Sequence, residues 1–133
     1  MSRPDAAYAF ALVGGCARQE PQLLAANELL QATRPIFAVT ALVTPVCWSE
    51  PVLHRMRRRS IAPILINATS RSQVNCTGGF RGPAEHFVLT YAILNMFTLT
   101  QFAAILYLDT DLAILSNLDH LLLRLLSMPA HAQ

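Results

Sequence analysis

The stretch ILYLDTDLAIL, residues 105–115, sets two aspartates inside one of the most apolar runs of the chain. An ionised carboxylate without a partner costs on the order of several kcal/mol when taken out of water, so it is neutralised, paired or given a cation. Read as an extended segment, ILYL carries side chains alternately to its two faces. Residues two apart then share a face, which aims Asp109 and Asp111 together and turns Thr110 away. A pair of carboxylates held close repels itself until a cation neutralises it. Hard divalent ions such as Mn²⁺ or Mg²⁺ take oxygen ligands of this kind, often shared with a substrate's phosphates. The competing reading of D-x-D is a plain turn, with solvated aspartates or aspartates bonded to nearby amides.

Working outward, the flanking sequence predicts where that strand sits. AYAFALV (residues 7–13) is a buried strand running into the turn of Gly14 and Gly15. Pro21 opens a helical pattern, PQLLAANELLQAT, which Pro35 stops. IFAVTALV (36–43) is β-branched and apolar, a second buried strand closed by Thr44 and Pro45. Ser49 is placed to cap a helix through EPVLHRMRRR. IAPILI (61–66) is a third strand, and Pro63 assigns it to an edge. The Ser-, Thr-, Asn- and Gly-rich run at 67–83 reads as a loop, 84–100 as a buried helix, AAILYL as a fourth strand, and LDHLLLRLLSM as a last helix capped from Ser116 and Asn117.

Strand and helix alternating in this way predict an α/β domain with a largely parallel sheet and flanking helices. Ligands of such sheets bind outside the carboxyl ends of the strands. Asp109 follows a strand directly, so it falls at that edge.

Composition narrows the rest. With 133 residues, 53% hydrophobic and 14% charged, the chain holds one domain with a real core and is no disordered tail. A net charge of +2 does not call for nucleic acid. All ten basic residues are arginine, and the cluster RMRRR (55–59) reads as one solvated helix face. Three cysteines, Cys16, Cys47 and Cys76, have no C-x-x-C spacing, and their odd number predicts neither a disulfide framework nor a zinc site. The triplets Asn67-Ala-Thr69 and Asn75-Cys-Thr77 become glycan acceptors only in the secretory pathway. The opening residues read as a first strand rather than a signal peptide, since Asp5 interrupts the basic region and the apolar run is short. Residues 87–108 carry no charge and are long enough for a membrane span. Thr90, Asn95, Thr98, Thr100 and Gln101 dilute them, and the division into helix and strand is preferred.

YLDTDLAILSNLDHL (107–121) resembles the signature of family 8 glycosyltransferases, the glycogenin and galactinol synthase group: an apolar strand, D-x-D, a short apolar run and N-[IL]-D-x-L. LNMFTLTQF (94–102) is similar to the helix that precedes it there, and AYAFALVGG and ALVTP are similar to the opening β-α-β unit. The resemblance implies a GT-A fold, a nucleotide-binding (Rossmann-like) α/β domain, over residues 1–133, here as the truncated amino-terminal portion. It implies a hexosyltransferase that moves sugar from a UDP-sugar donor to an acceptor of unknown identity with retention, using Mn²⁺ or Mg²⁺. By the same resemblance Asp109 and Asp111 match the metal ligands, and Val13, Gly15, Cys16, Asp109, Thr110 and Asp111 the positions that contact the nucleotide sugar.

The chain departs from that pattern at Ile93, where the family carries Lys, at Gly15 and Cys16, where it often has polar side chains, and in the H-x-x-G-x-x-K-P-W-like segment, into which neither His120 nor His131 falls. His120 reads as a surface residue, Trp48 and Tyr91 as core, and Asn117 and Asp119 as structural residues that cap and orient the last helix. The alternatives are a catalytically inactive remnant that binds another chain, and a single-span membrane protein. No partner nucleic acid is expected, and the cytosol is favoured over the Golgi lumen.

Overall fold

A computed structural model of the chain describes residues 5–66 and 92–129. Four strands, β1 (Ala6–Leu12), β2 (Ala38–Val43), β3 (Ile61–Leu65) and β4 (Ala104–Tyr107), form one sheet in the order β3-β2-β1-β4. Every pairing is parallel: Ala7 lies opposite Ala38, Val39 opposite Ile61, and Ala9 opposite Tyr107. The helices are α1 (Cys16–Ala32), α2 (Glu50–Arg58) and α3 (Asp119–Ser127), with 3-10 helices at Pro45–Cys47 and Ala92–Thr98. The expected α/β architecture, a parallel sheet flanked by helices, is therefore the one observed.

Alternation along the strands divides the core between two faces. Tyr8, Phe10 and Leu12 of β1 and Val39, Ala41 and Val43 of β2 pack with Leu23 and Leu30 of α1, Met56 of α2 and Leu122 of α3. Ala11, Val13 and Leu42 face the other way and meet Leu99, with Ile93 and Met96 from the 3-10 helix and Ile105 and Tyr107 from β4 packed around them. β1 has all seven residues buried because it is covered on both faces and paired on both edges. Its run of small and apolar residues answers that position.

Several boundaries differ from the sequence reading. α1 starts at Cys16 and carries Pro21 inside it. Gly15, left-handed at φ 55°, turns the chain straight from β1 into the helix. Pro21 is exposed, and so is Ala17, so water can serve the carbonyl that a proline ring leaves without its helical donor. Pro63 does lie on an edge strand, as expected. Ser49 stands at the cap position of α2, but its side chain makes no capping bond. Within the buried helix expected at 84–100, residues 92–98 are a 3-10 helix that is not buried: Leu94 and Phe97 are exposed. Its remainder, the loop at 67–83, both Asn-x-Thr triplets, Tyr91 and His131 lie outside the described residues.

Other expectations are met. Arg55, Arg57, Arg58 and Arg59 are exposed while Met56 is fully buried, so RMRRR is a solvated helix face. Trp48 is partly buried against the core, and His120 is exposed. Among the described residues no helix is long and apolar enough to cross a membrane, and the uncharged run ends in β4.

The cysteine reading is corrected. Cys16 and Cys47 form a disulfide, with Cα atoms 5.5 Å apart and a separation of 31 in sequence. Each follows the carboxyl end of a strand, and those strands, β1 and β2, are neighbours. Sheet pairing brings the two together, which counting and spacing along the chain do not express.

Candidate functional site

In chain order the sheet grows from β1 to β2 to β3, and then β4 is laid on the opposite side of β1. The reversal makes the carboxyl ends of β1 and β4 the topological switch point, the place where an open parallel sheet leaves a crevice for a ligand. Two of the sequence-predicted segments meet there. The turn after β1 supplies Val13, Gly15 and Cys16, and the segment after β4 supplies Asp109, Thr110 and Asp111.

β4 ends at Tyr107, and Leu108 still donates its amide to the carbonyl of Ala9 at 2.8 Å. Beyond it the chain leaves the sheet, and Thr110 and Asp111 lie in a turn. The extended alternation expected to align the aspartates therefore stops before the second of them. Asp109 Oδ1 accepts the amide of Thr110 at 3.1 Å, so one oxygen steadies the turn. Both aspartates are exposed.

What the two carboxylates share is Tyr107. Its phenol is pushed up to about 12, first by burial and then by the negative charges of Asp109 and of Asp111. Both acidic groups thus act on the same phenol, and their charge makes the formation of another anion there unfavourable. Among the described residues no group of three His, Cys, Asp or Glu side chains could hold a metal on its own. Two carboxylates hold Mg²⁺ or Mn²⁺ only where water or other oxygen ligands complete the shell.

The β1 side is built differently. Val13 buries its side chain in the second core cluster, 8% exposed, and its carbonyl accepts the Thr44 hydroxyl at 3.0 Å. It shapes the floor of the edge and offers no side chain to it. Gly15 is exposed, and a Cβ added to it would meet nothing within 4 Å. Its carbonyl accepts the amides of Arg18 and Gln19, both at 3.0 Å, and its own position gives α1 no side-chain cap. Helix starts of this kind present amides that favour an anion. Cys16 is committed to its disulfide, so it has no thiol to offer a ligand.

Asn117 and Asp119 stand apart from this edge. Asp119, 6% exposed, accepts from the Tyr8 hydroxyl at 2.7 Å, the Ile36 amide at 3.0 Å and Asn117 Nδ2 at 2.8 Å. Asn117 Oδ1 accepts the Asp119 amide at 2.8 Å, and its Nδ2 also donates to the Thr33 carbonyl at 3.1 Å. These residues dock α3 on the sheet, which is the orienting part of the role expected of them; the capping part is corrected, because Leu118 stands at the N-cap of α3 and makes no side-chain capping bond there.

Two participants escaped the sequence reading. Tyr107 carried a signal, since strand alternation puts it on the face of Ile105 and immediately ahead of the aspartates. The disulfide carried one only once β1 and β2 were taken as neighbours. No protein-family model and no curated protein matches the chain.

Proposed function

We propose that the protein binds a nucleotide sugar, as the UDP-hexose donor module of a metal-dependent, GT-A-like retaining glycosyltransferase. The observation that carries the reading is the position of Asp109 and Asp111. They follow β4 at its switch point with β1, and both bear on Tyr107. Asp109 and Asp111 would hold Mn²⁺ or Mg²⁺. When bound, that ion supplies positive charge to the diphosphate and to the departing nucleotide. The chain's own residues do the remaining work. The uncapped start of α1 favours phosphate oxygens, Val13 and Thr44 set the floor of the edge, and the Asp109 bond to the Thr110 amide holds the turn between the aspartates.

UDP titration by calorimetry, with Mn²⁺ and with chelator, tests this on the wild type and on Asp109→Ala and Asp111→Ala. The expected result is metal-dependent binding lost by at least about tenfold in either variant, on the order of one carboxylate–metal contact. Equal affinity with and without metal removes the ion from the site.

An interaction module is the second reading, favoured by exposed apolar side chains on either side of β4: Phe97 at 76% and Leu115 at 90% exposure. Where exposed apolar side chains join into one patch, they mark a surface that another chain covers. Size-exclusion chromatography separates the readings, because a monomer at high concentration speaks against an orphaned apolar surface.

A further inference from the structure

We propose that the Cys16–Cys47 disulfide is a positioning element of the ligand edge: it ties the turn leaving β1 to the turn leaving β2, and thereby fixes the first amides of α1 beside the switch point. The inference rests on the nucleotide-sugar reading and adds to it the part that keeps the phosphate-facing turn in place.

Among the described residues, hydrogen bonds join the two turns as far as Thr44. Its amide donates to the Leu12 carbonyl at 3.1 Å and its hydroxyl to the Val13 carbonyl at 3.0 Å. Two residues of high freedom follow in the β1 turn, Gly14 and Gly15, and the second holds a left-handed φ of 55° with open space around it. Glycine does not hold such a conformation by itself, because it visits many others at little cost. The tie that follows is the disulfide. Cys47 is 2% exposed and seated in the core through the 3-10 helix Pro45–Cys47, whereas Cys16 is half-buried at the first position of α1. Both ends pack against the same core, Cys47 as a buried member of it and Cys16 at its rim, so the link joins the more exposed turn to the more buried one. The body of α1 is held separately, by Leu23, Leu24, Ala26 and Leu30 in the core and by the two hydrogen bonds from Arg55 to Glu20. Breaking the link would release the turn while leaving the helix docked.

Such a link persists in oxidising surroundings and is rare where thiols are kept reduced. The device therefore acts only where the surroundings are oxidising. A dithiol opens it by thiol–disulfide exchange: two electrons and two protons pass to the cysteine sulfurs, and the dithiol closes to its own disulfide.

The test compares the oxidised chain, the chain reduced with dithiothreitol, and the double variant Cys16→Ala/Cys47→Val. In the last of these a valine side chain fills the buried site of Cys47, which keeps the test open if the reduced chain fails to fold. Amide hydrogen exchange is followed at residues 13–17 and 44–48, alongside Mn²⁺-UDP affinity. Opening the link is expected to raise exchange in both turns with β1 and β2 still protected, and to weaken UDP by about tenfold. Asn27→Ala, a destabilising change far from the edge, must keep wild-type affinity. Binding that is unchanged on reduction, or exchange that stays slow, overturns the positioning role and leaves the nucleotide reading standing. Failure of the oxidised chain to bind UDP overturns both.

Discussion

Tyr8, in the middle of β1, donates a 2.7 Å hydrogen bond to Oδ1 of Asp119, 111 residues later at the start of α3. Asp119 gathers in addition the Ile36 amide and Asn117, so one buried carboxylate joins the central strand, the approach to β2 and the last helix. Removing one partner of such a group leaves the others unsatisfied. Asp119→Ala is expected to cost roughly 3 kcal/mol and Tyr8→Phe about 1–2 kcal/mol, since a lost charged acceptor outweighs one lost donor. Urea unfolding of the two variants and of the double variant measures this. A double variant no less stable than Asp119→Ala alone confirms a shared interaction.

The disulfide closes a separation of 31 residues. In the chain-entropy account a loop of that size is worth roughly 3–4 kcal/mol, acting on the unfolded chain. Reduction should lower the urea midpoint accordingly, with the slope rising as the unfolded state expands. An unchanged midpoint would mean that the link adds nothing to the fold.

Tyr107 provides a titration marker for the two aspartates. Phenolate absorbance is expected to place it near 12. In Asp109→Asn/Asp111→Asn the value should fall part of the way back, because burial, the first cause, remains. A value that does not move would mean that neither carboxylate bears on the phenol. Tyr107→Phe identifies the signal.

Alkaline stability follows with a definite sign. The phenols of Tyr8 and Tyr107 are both raised by burial, Tyr8 also by its bond to Asp119. The unfolded chain loses these protons near the ordinary phenol value of about 10, before the folded chain does. It then binds fewer protons than the native state, so stability falls as pH rises above about 10. Below that value both states are protonated, and this contribution is fully present. Urea midpoints across the alkaline range should decline, and Tyr8→Phe should flatten part of the decline.

Gly15→Ala isolates the backbone contribution at the site. A Cβ there meets nothing, so the cost is conformational, roughly 1 kcal/mol for a non-glycine residue at positive φ. Thermal unfolding should register that loss. A neutral result would show that the turn relaxes to negative φ.

Local pattern in the sequence settled the four strands, the helices α1, α2 and α3, and their order. Alternating apolar strands, Pro63 at an edge, the arginine face of α2 and the aspartates just past a strand all follow from short-range rules of periodicity and solvation. The tertiary structure decided what depends on which strands become neighbours. Laying β4 beside β1 made the switch point, set Tyr107 in the field of both aspartates and ended the extended run before Asp111. Pairing β1 with β2 joined Cys16 to Cys47, and docking α3 gave Asp119 its Tyr8 partner. Each of these contacts closes a long loop of chain, and its free energy comes from burial and pairing that no local window contains.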